Sequence, residues 1–223
     1  MDVMESKTDP LDFALWKNSK PGEPSWHSPW GEGRPGWHTE CSAMSMKHLG
    51  ETFDIHGGGR DLIFPHHENE IAQSEACTGK KFANFWVHNG FVNINSEKMS
   101  KSLSNFLLIR DVLKVYPAEV IRLFILSSHY RSPLDYTEKN VTNAATSLER
   151  YYSTMLRLKD KLGTLKGDES DDGLMAKIKV FRAHFIKAMD DDFNTAKVVG
   201  SIFDWVRQWN KYLDEGKGFS KMA

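Results

Sequence analysis

The chain is 223 residues long with 40% hydrophobic residues, so it can bury the core of one large domain or of two small ones. Its 29 basic and 30 acidic residues leave a net charge of −1, and composition therefore gives no argument for a nucleic-acid partner. With no apolar run of about 18 residues, no apolar signal region after Met1 and only two cysteines, the chain is predicted to be cytoplasmic rather than membrane-spanning or disulfide-stabilised and secreted.

The first part of the chain, residues 1–40, is rich in Pro, Gly and Trp, and this composition predicts irregular structure. One short helix is predicted near residues 12–16. Trp26 and Trp30 lie among prolines, which is typical of aromatic–proline packing in a stiff loop. We therefore expect a structural role for these two tryptophans.

Helices and strands alternate in the next part of the chain. Helical periodicity begins at Cys41 and ends at Gly50, and a second helix is predicted over residues 68–77. Between them, apolar and polar residues alternate over 53–56 and stop at the glycines 57–59. This pattern predicts a short strand that is ended by a turn.

Two more strands, over 85–88 and 90–94, precede a polar loop with the sequence KMSKS at residues 98–102. Downstream of Asn105 the periodicity predicts only helices. Their predicted bounds are 107–115, 117–128, 138–162, 173–190 and 194–213. Strands with helices, followed by helices alone, indicate an α/β part and then a helical domain.

His66 and Glu70 are four residues apart, so on a helix their side chains share one face, about one turn apart. An imidazole and a carboxylate at this spacing can hold one Zn²⁺, and the thiolate of Cys41 would supply a third ligand. Spacing alone, however, favours another interpretation. In it Cys41 is a small buried residue, and His66 and Glu70 form a surface pair.

Longer stretches of the sequence carry a family resemblance. Residues 33–44, 53–62 and 64–70, followed in order by KMSKS at 98–102, resemble the cysteinyl-tRNA synthetases, which are class I aminoacyl-tRNA synthetases. The resemblance extends over essentially the whole chain, and its motifs are long and specific. It implies an α/β fold, the C-terminal half of a Rossmann-like catalytic domain followed by an α-helical bundle. It also implies ATP-dependent activation of cysteine to cysteinyl-adenylate and transfer to tRNA(Cys).

The same resemblance implies how the chain is divided. The expected parts are the end of an inserted connective segment at 1–40, the second half of the catalytic domain with the KMSKS loop at 41–105, a helical junction at 106–137, and a truncated tRNA-stem-contacting (DALR-like) helical domain at 138–223. The HIGH signature of class I synthetases has no counterpart in the sequence. We therefore expect a fragment without the N-terminal half of the catalytic domain and the C-terminal anticodon-binding domain, inactive alone.

In this family a zinc ion recognises the thiolate of the substrate cysteine. The resemblance implies that Cys41, His66 and Glu70 hold this single ion, and that Trp37 forms a wall of the amino-acid pocket. The family's first cysteine ligand has no counterpart here, so we expect weak or no metal binding. A metal–thiolate bond can separate cysteine from serine better than an apolar pocket, which distinguishes near-isosteres by only about 1–3 kcal/mol. Supporting, structural or surface roles are expected for His67, Glu68, Cys77 and His88.

The KMSKS motif implies an ATP site, with Mg²⁺ accompanying the nucleotide. Lys98 and Lys101 are the expected catalytic residues, because their ammonium groups would stabilise the charge that moves onto the leaving pyrophosphate. Ser100 would add a hydroxyl donor. The remaining expected ATP contacts lie at the C-terminal end of the strand predicted from residue 53: His56, Gly57, Gly58 and Asp61. A tight turn in which Asp61 caps the next segment is an equally good interpretation.

Two other functions remain open from the sequence. A cysteine ligase of the mycothiol pathway shares the zinc and KMSKS motifs, although the sequence beyond Asn194 favours the tRNA enzyme. A non-catalytic zinc- or RNA-binding module gains support only if the gene itself encodes this short form. For the preferred function the implied partners are tRNA(Cys), L-cysteine and ATP, without a membrane, in a cytoplasmic enzyme that is a monomer at full length.

Overall fold

A computed structural model describes residues 7–99, 106–163 and 172–215, and its contacts separate two compact units, Met1–Asn89 and Gly90–Ala223. The first unit contains β1 (Trp16–Asn18), β2 (Gly33–Pro35), α1 (Trp37–Leu49), β3 (Phe53–Gly59), α2 (Glu68–Thr78) and β4 (Ala83–Asn89). The second contains β5 (Val92–Ile94), β6 (Glu97–Lys98), α3 (Ile109–Val115), α4 (Ala118–Leu126), β7 (Leu134–Tyr136), α5 (Glu138–Gly163), α6 (Asp172–Asp190) and α7 (Thr195–Asp214). The predicted order, an α/β part and then a mainly helical part, is confirmed. None of the described helices has the length and apolar character needed to cross a membrane.

The parallel pair β3–β4 is the frame of the first unit, with Phe53 opposite Ala83 at the start of both strands. Parallel neighbours need a crossover connection. Here it consists of a 3-10 turn (Arg60–Leu62), a π-type turn (Ile63–His67) and α2. Phe53, Phe82 and Ala83 form the buried core of the unit. This core lies at the start of both strands, where the crossover ends and β4 begins.

The first unit differs from the sequence predictions in three places. The helix predicted near residues 12–16 is wrong, because β1 begins at Trp16 and its backbone pairs antiparallel with β2. The helix predicted from Cys41 already begins at Trp37. The strand predicted to stop at the glycines continues to Gly59, since the glycines pair with β4 in the parallel ladder. In both strands, pairing with a distant segment overrides the local signal.

In the second unit β5 pairs antiparallel with β6 and parallel with β7. Its buried core joins α4 to α5 and consists of Val120, Phe124, Val141 and Ala144. The five helices predicted after Asn105 are confirmed, with bounds that shift by a few residues. The expectation of helices alone is wrong, because β7 lies between α4 and α5. A strand of three residues is too short to show a period in the sequence, and its pairing with β5 holds it in place.

Candidate metal centre

The packing of α1 against α2 brings the predicted metal ligands together. Cys41 lies on α1, His66 in the π-type turn, and Glu70 in the first turn of α2. One donor atom from each residue lies within 4.8 Å of those of the other two. Sequence order alone does not establish this proximity. The surface-pair interpretation is wrong, since the side chains of His66 and Glu70 are only 5% and 1% exposed.

The surroundings of the Glu70 carboxylate are those of a group that binds a cation. Its Oε1 is 2.6 Å from Nε2 of His66, and its Oε2 is 2.8 Å from Nε2 of His56. Within the described residues neither oxygen accepts a hydrogen bond of acceptable geometry from a nitrogen or oxygen donor, and the Cys41 thiol is the remaining side chain that bonds to this carboxylate. A buried carboxylate with so few hydrogen bonds is costly, and a bound cation would remove that cost. The sulfur, nitrogen and oxygen donors of Cys41, His66 and Glu70 therefore fit Zn²⁺.

The electrostatics at Cys41 favour the same conclusion. Burial raises the pKa of its thiol, and the negative charges of Glu70 and Glu40 raise this pKa further. Without a cation the thiol is therefore protonated at neutral pH. A divalent cation reverses the effect because it stabilises the thiolate. Cys41 would thus become a ligand only together with the cation.

His38 was not identified from the sequence, although it lies on α1 three residues before Cys41. Its Nδ1 is 2.7 Å from Nδ1 of His66. Donation of a hydrogen bond by His66 Nδ1 leaves Nε2 of that ring for a metal. The pKa of His38 is lowered, first by burial and then by His66, so His38 is neutral and its Nδ1 can accept this hydrogen bond in one of its two tautomers. The spacing of His38 and Cys41 on one helix face is the signal that could have identified it.

Trp37 stacks on this histidine pair. Its ring centroid is 4.2 Å from that of His66 and 5.8 Å from that of His38. The Trp37 side chain is nevertheless 57% exposed, so part of the ring remains accessible beside the candidate ligands. The expected role of Trp37 as a pocket wall stays a prediction.

A second group of donors shares Glu70. Donor atoms of His56, His67 and Glu70 lie within 4.8 Å of one another, and Nδ1 of His67 is 2.7 Å from Nε2 of His88. The pKa of His67 is lowered to about 4, chiefly by burial, against the opposing charge of Glu70. A surface role for His67 is therefore wrong, because the π-type turn directs both His66 and His67 inwards. His67 is instead a buried, neutral supporting residue.

Packing explains one of the two glycines that are expected to approach ATP. A Cβ built on Gly58 would lie 2.8 Å from Cε1 of His67, so a side chain at this position would displace that ring. The ring of His56, on the same strand, approaches Glu70. Asp61 lies in the 3-10 turn that follows the strand. ATP contacts stay predictions for His56, Gly57, Gly58 and Asp61.

Only the start of the KMSKS motif lies among the described residues. Lys98 ends β6, and the backbone N–H of Met99 donates to the carbonyl of Val92 at 3.1 Å. Ser100, Lys101 and Ser102 lie outside the described residues. The motif therefore begins at the end of the β5–β6 hairpin of the second unit. The predicted phosphate contacts of Lys98, Ser100 and Lys101 stay predictions.

Two family models match the chain. Residues 1–146 match the model described as tRNA synthetases class I (C) catalytic domain. Residues 184–222 match the model of the DALR domain. The first match covers more than half of the chain and includes both the candidate metal centre and the KMSKS motif.

Curated relatives extend this similarity. A cysteine–tRNA ligase of Geobacter metallireducens is 61% identical over 223 residues, which cover 98% of this chain and 46% of the relative. A cysteine–tRNA ligase of Geobacter sulfurreducens is 60% identical over 220 residues, which cover 97% and 46%. The chain thus spans about half the length of the curated relatives it matches. Among solved structures, the LeuRS–tRNA–LeuAMS complex of Agrobacterium radiobacter K84 has a TM-score of 0.66 at 14% identity, covering 89% of this chain and 30% of the LeuRS chain, which supports the fold alone.

Proposed function

The chain belongs to the family of class I (C) tRNA synthetase catalytic domains, and from this premise we propose that it is the cysteine-activating part of a cysteine–tRNA ligase. The relatives with 61% and 60% identity have that name. The proposed substrates are L-cysteine, ATP with Mg²⁺, and tRNA(Cys). The proposed location is the cytoplasm, with a monomeric full-length enzyme.

The observation that carries this proposal is the convergence of donor atoms from Cys41, His66 and Glu70, with the side chain of Glu70 only 1% exposed. These residues would hold one Zn²⁺, which when bound supplies a Lewis acid that favours a thiolate over a hydroxyl. The hydrogen bond between His38 and His66 would keep Nε2 of His66 directed at the ion. The accessible face of Trp37 would border the amino-acid pocket beside it.

On the nucleotide side, the residues of the chain would mainly position groups and stabilise charge. The carboxylate of the substrate cysteine is the nucleophile towards the α-phosphate, and pyrophosphate leaves. Lys98 and Lys101 would stabilise the charge on that leaving group, and Ser100 would donate a hydrogen bond. Adenosine contacts are proposed for His56, Gly57, Gly58 and Asp61.

The helical part of the chain is proposed to contact the tRNA. The DALR match at residues 184–222 supports a tRNA-stem-contacting domain over 138–223. The preceding parts would be the end of a connective segment (1–40), the second half of the catalytic domain (41–105) and a helical junction (106–137).

Cobalt binding tests the metal site without requiring activity. Co²⁺ substitutes for Zn²⁺, and its thiolate complexes absorb in the near ultraviolet, so binding at the cluster should produce a charge-transfer band. We expect the C41S variant to lose this band and the C77S variant to keep it, because Cys77 is exposed and lies outside the cluster. Excess Co²⁺ is used because three ligands predict weak binding. L-Cysteine should strengthen the band and L-serine should not. A band that survives in C41S would contradict the assignment of Cys41 as a metal ligand.

Pyrophosphate exchange into ATP tests the reaction. A protein of the relatives' full length should show exchange with cysteine and not with serine, and this chain alone should show little. Charging of tRNA(Cys), rather than of an amino sugar, would separate the proposed enzyme from a mycothiol-pathway ligase. Robust exchange by this chain alone would contradict the expectation that it needs the rest of the catalytic domain.

A further inference from the structure

The hairpin that leads into the KMSKS motif contains a strained turn. β5 and β6 are joined by only two residues, Asn95 and Ser96, whose φ angles are 49° and 69°. Two positive φ values in a two-residue hairpin loop are typical of a type I′ turn, in which Asn suits the first position and Gly the second. Ser96 has a Cβ, so its left-handed conformation needs support from outside the turn.

Asp135, at the centre of β7, supplies that support. Its Oδ1 accepts a hydrogen bond from the backbone N–H of Ser96 at 2.7 Å, and its Oδ2 accepts one from the Ser96 hydroxyl at 3.5 Å. The backbone N–H of Asn95 donates to the carbonyl of Tyr136 at 3.4 Å. Both turn residues are thus held by β7, although 39 residues separate Ser96 from Asp135.

Asp135 is itself held at the start of the helical part. The side-chain amide of Asn140, in the first turn of α5, donates to the carbonyl of Asp135 at 3.0 Å. On the other side, Asp135 lies opposite Asn93 in the parallel pairing of β5 with β7. Hydrogen bonds therefore connect the turn to the beginning of α5 as well as to its own hairpin.

We propose that Asp135 is a positioning residue. It sets the geometry of the Asn95–Ser96 turn and thereby the backbone position of Lys98, the first residue of the KMSKS motif. Its consequence for ATP rests on the proposed function, whereas its effect on the hairpin does not. An acceptor oxygen at position 135 is what the turn requires. Asparagine at position 135 should therefore preserve the conformation of the turn, and alanine should not. Glycine at position 96 should remove the requirement, because it adopts positive φ without strain.

Hydrogen exchange tests the inference on the whole chain in the variants D135A, D135N and D135A/S96G, with D160A as a control on the exposed face of α5. The reporter is the amide of Met99, which is bonded to Val92 across the hairpin. We expect exchange in D135A to accelerate by about 2- to 10-fold, the range for loss of one net hydrogen bond. The other three variants should exchange like the wild type. Equal exchange in D135A and the wild type, or failure of both D135N and S96G to restore protection, would overturn the proposal.

ATP titration of the same variants, made in a protein of the relatives' full length, separates this proposal from the proposed function. With Mg²⁺ present, the ATP dissociation constant should rise in D135A by about the same 2- to 10-fold, and return towards the wild-type value in D135N and D135A/S96G. If hydrogen exchange follows the expected order but the full-length wild-type protein does not bind ATP, the proposed nucleotide function fails and the role of Asp135 in the hairpin is supported. If ATP affinity is unchanged while exchange accelerates, the claim that the turn positions the nucleotide site is overturned.

Discussion

Two carboxylates, one in each unit, are held in opposite ways. Glu70 is almost completely buried, yet within the described residues neither of its oxygens accepts a hydrogen bond of acceptable geometry from a nitrogen or oxygen donor. Asp192, in the turn before α7, is exposed and accepts hydrogen bonds from Tyr130 at 2.6 Å and from Arg131. Arg131 and then Tyr130 lower the pKa of Asp192 to about 2. A carboxylate with well-placed donors stabilises its fold, whereas a buried one with few such donors costs stability and is typical of a metal ligand.

The largest expected effect comes from Glu70→Gln, which tests whether the buried carboxylate is a metal ligand. In a protein of the relatives' full length, loss of a ligand should lower the Zn²⁺ affinity by more than the roughly 10- to 100-fold that loss of an outer-shell partner costs, measured by competition with a chromophoric chelator. Without metal, the same change should stabilise the chain by about 1 kcal/mol in urea unfolding with EDTA, because it removes a buried charge that few donors stabilise.

Glu68→Gln is the matched control, since Glu68 begins the same helix and is exposed. It should leave both Zn²⁺ affinity and stability unchanged. Strong destabilisation of the metal-free chain by Glu70→Gln would show that His56 and His66 already satisfy the carboxylate, and the contrast with Asp192 would then disappear.

His38→Ala should have the next largest effect, because it removes the partner of His66 Nδ1 and not a ligand. Loss of such a partner typically lowers metal affinity by about 10-fold or more. His48→Ala, at the exposed end of α1, is the control. Equal Zn²⁺ affinity in the two variants would show that the histidine pair does not orient the ligand.

Asn194→Ala tests the structural role of a polar side chain that lies two residues after Asp192. The Asn194 side chain accepts a hydrogen bond from the backbone N–H of Lys197 at 3.1 Å and caps α7. Its loss should lower the free energy of unfolding by about 1 kcal/mol, without changing Zn²⁺ affinity. Asn194→Asp retains the acceptor and should be close to the wild type in urea unfolding. A change in metal binding in either variant would contradict the separation of the two roles.

The smallest effect is expected for Asp192→Asn, because the carboxylate is exposed and solvent screens its interactions. The pKa of Asp192 falls from 3.8 to about 2 on folding. Its ionised form is thus favoured in the folded state, so the contribution is complete above about pH 4 and is lost as pH falls towards 2. Thermal unfolding across this range should show a smaller loss of stability on acidification in Asp192→Asn than in the Asp191→Asn control. Identical pH profiles would contradict the ion pair.

The ligand types of the candidate site were predictable because Cys41, His66 and Glu70 lie in long motifs that carry a family resemblance. His38 and the His67–His88 contact were not predicted. Each joins segments that are distant in sequence, and the inward direction of His67 depends on a π-type turn that departs from regular helical geometry. β7 was missed for a related reason, since three residues show no period and the strand exists through its pairing with β5.

By itself, the sequence determined which chemical groups the protein has and in what order, the helices of the second unit and the family to which the motifs point. These features depend on local periodicity and on contiguous residues. Only the tertiary structure decided that Glu70 is buried beside His56 and His66, which nitrogen of His66 contacts His38, and that Asp135 supports the turn at Ser96. Burial and the pairing of donors with acceptors arise when distant segments pack together, and no local pattern encodes them.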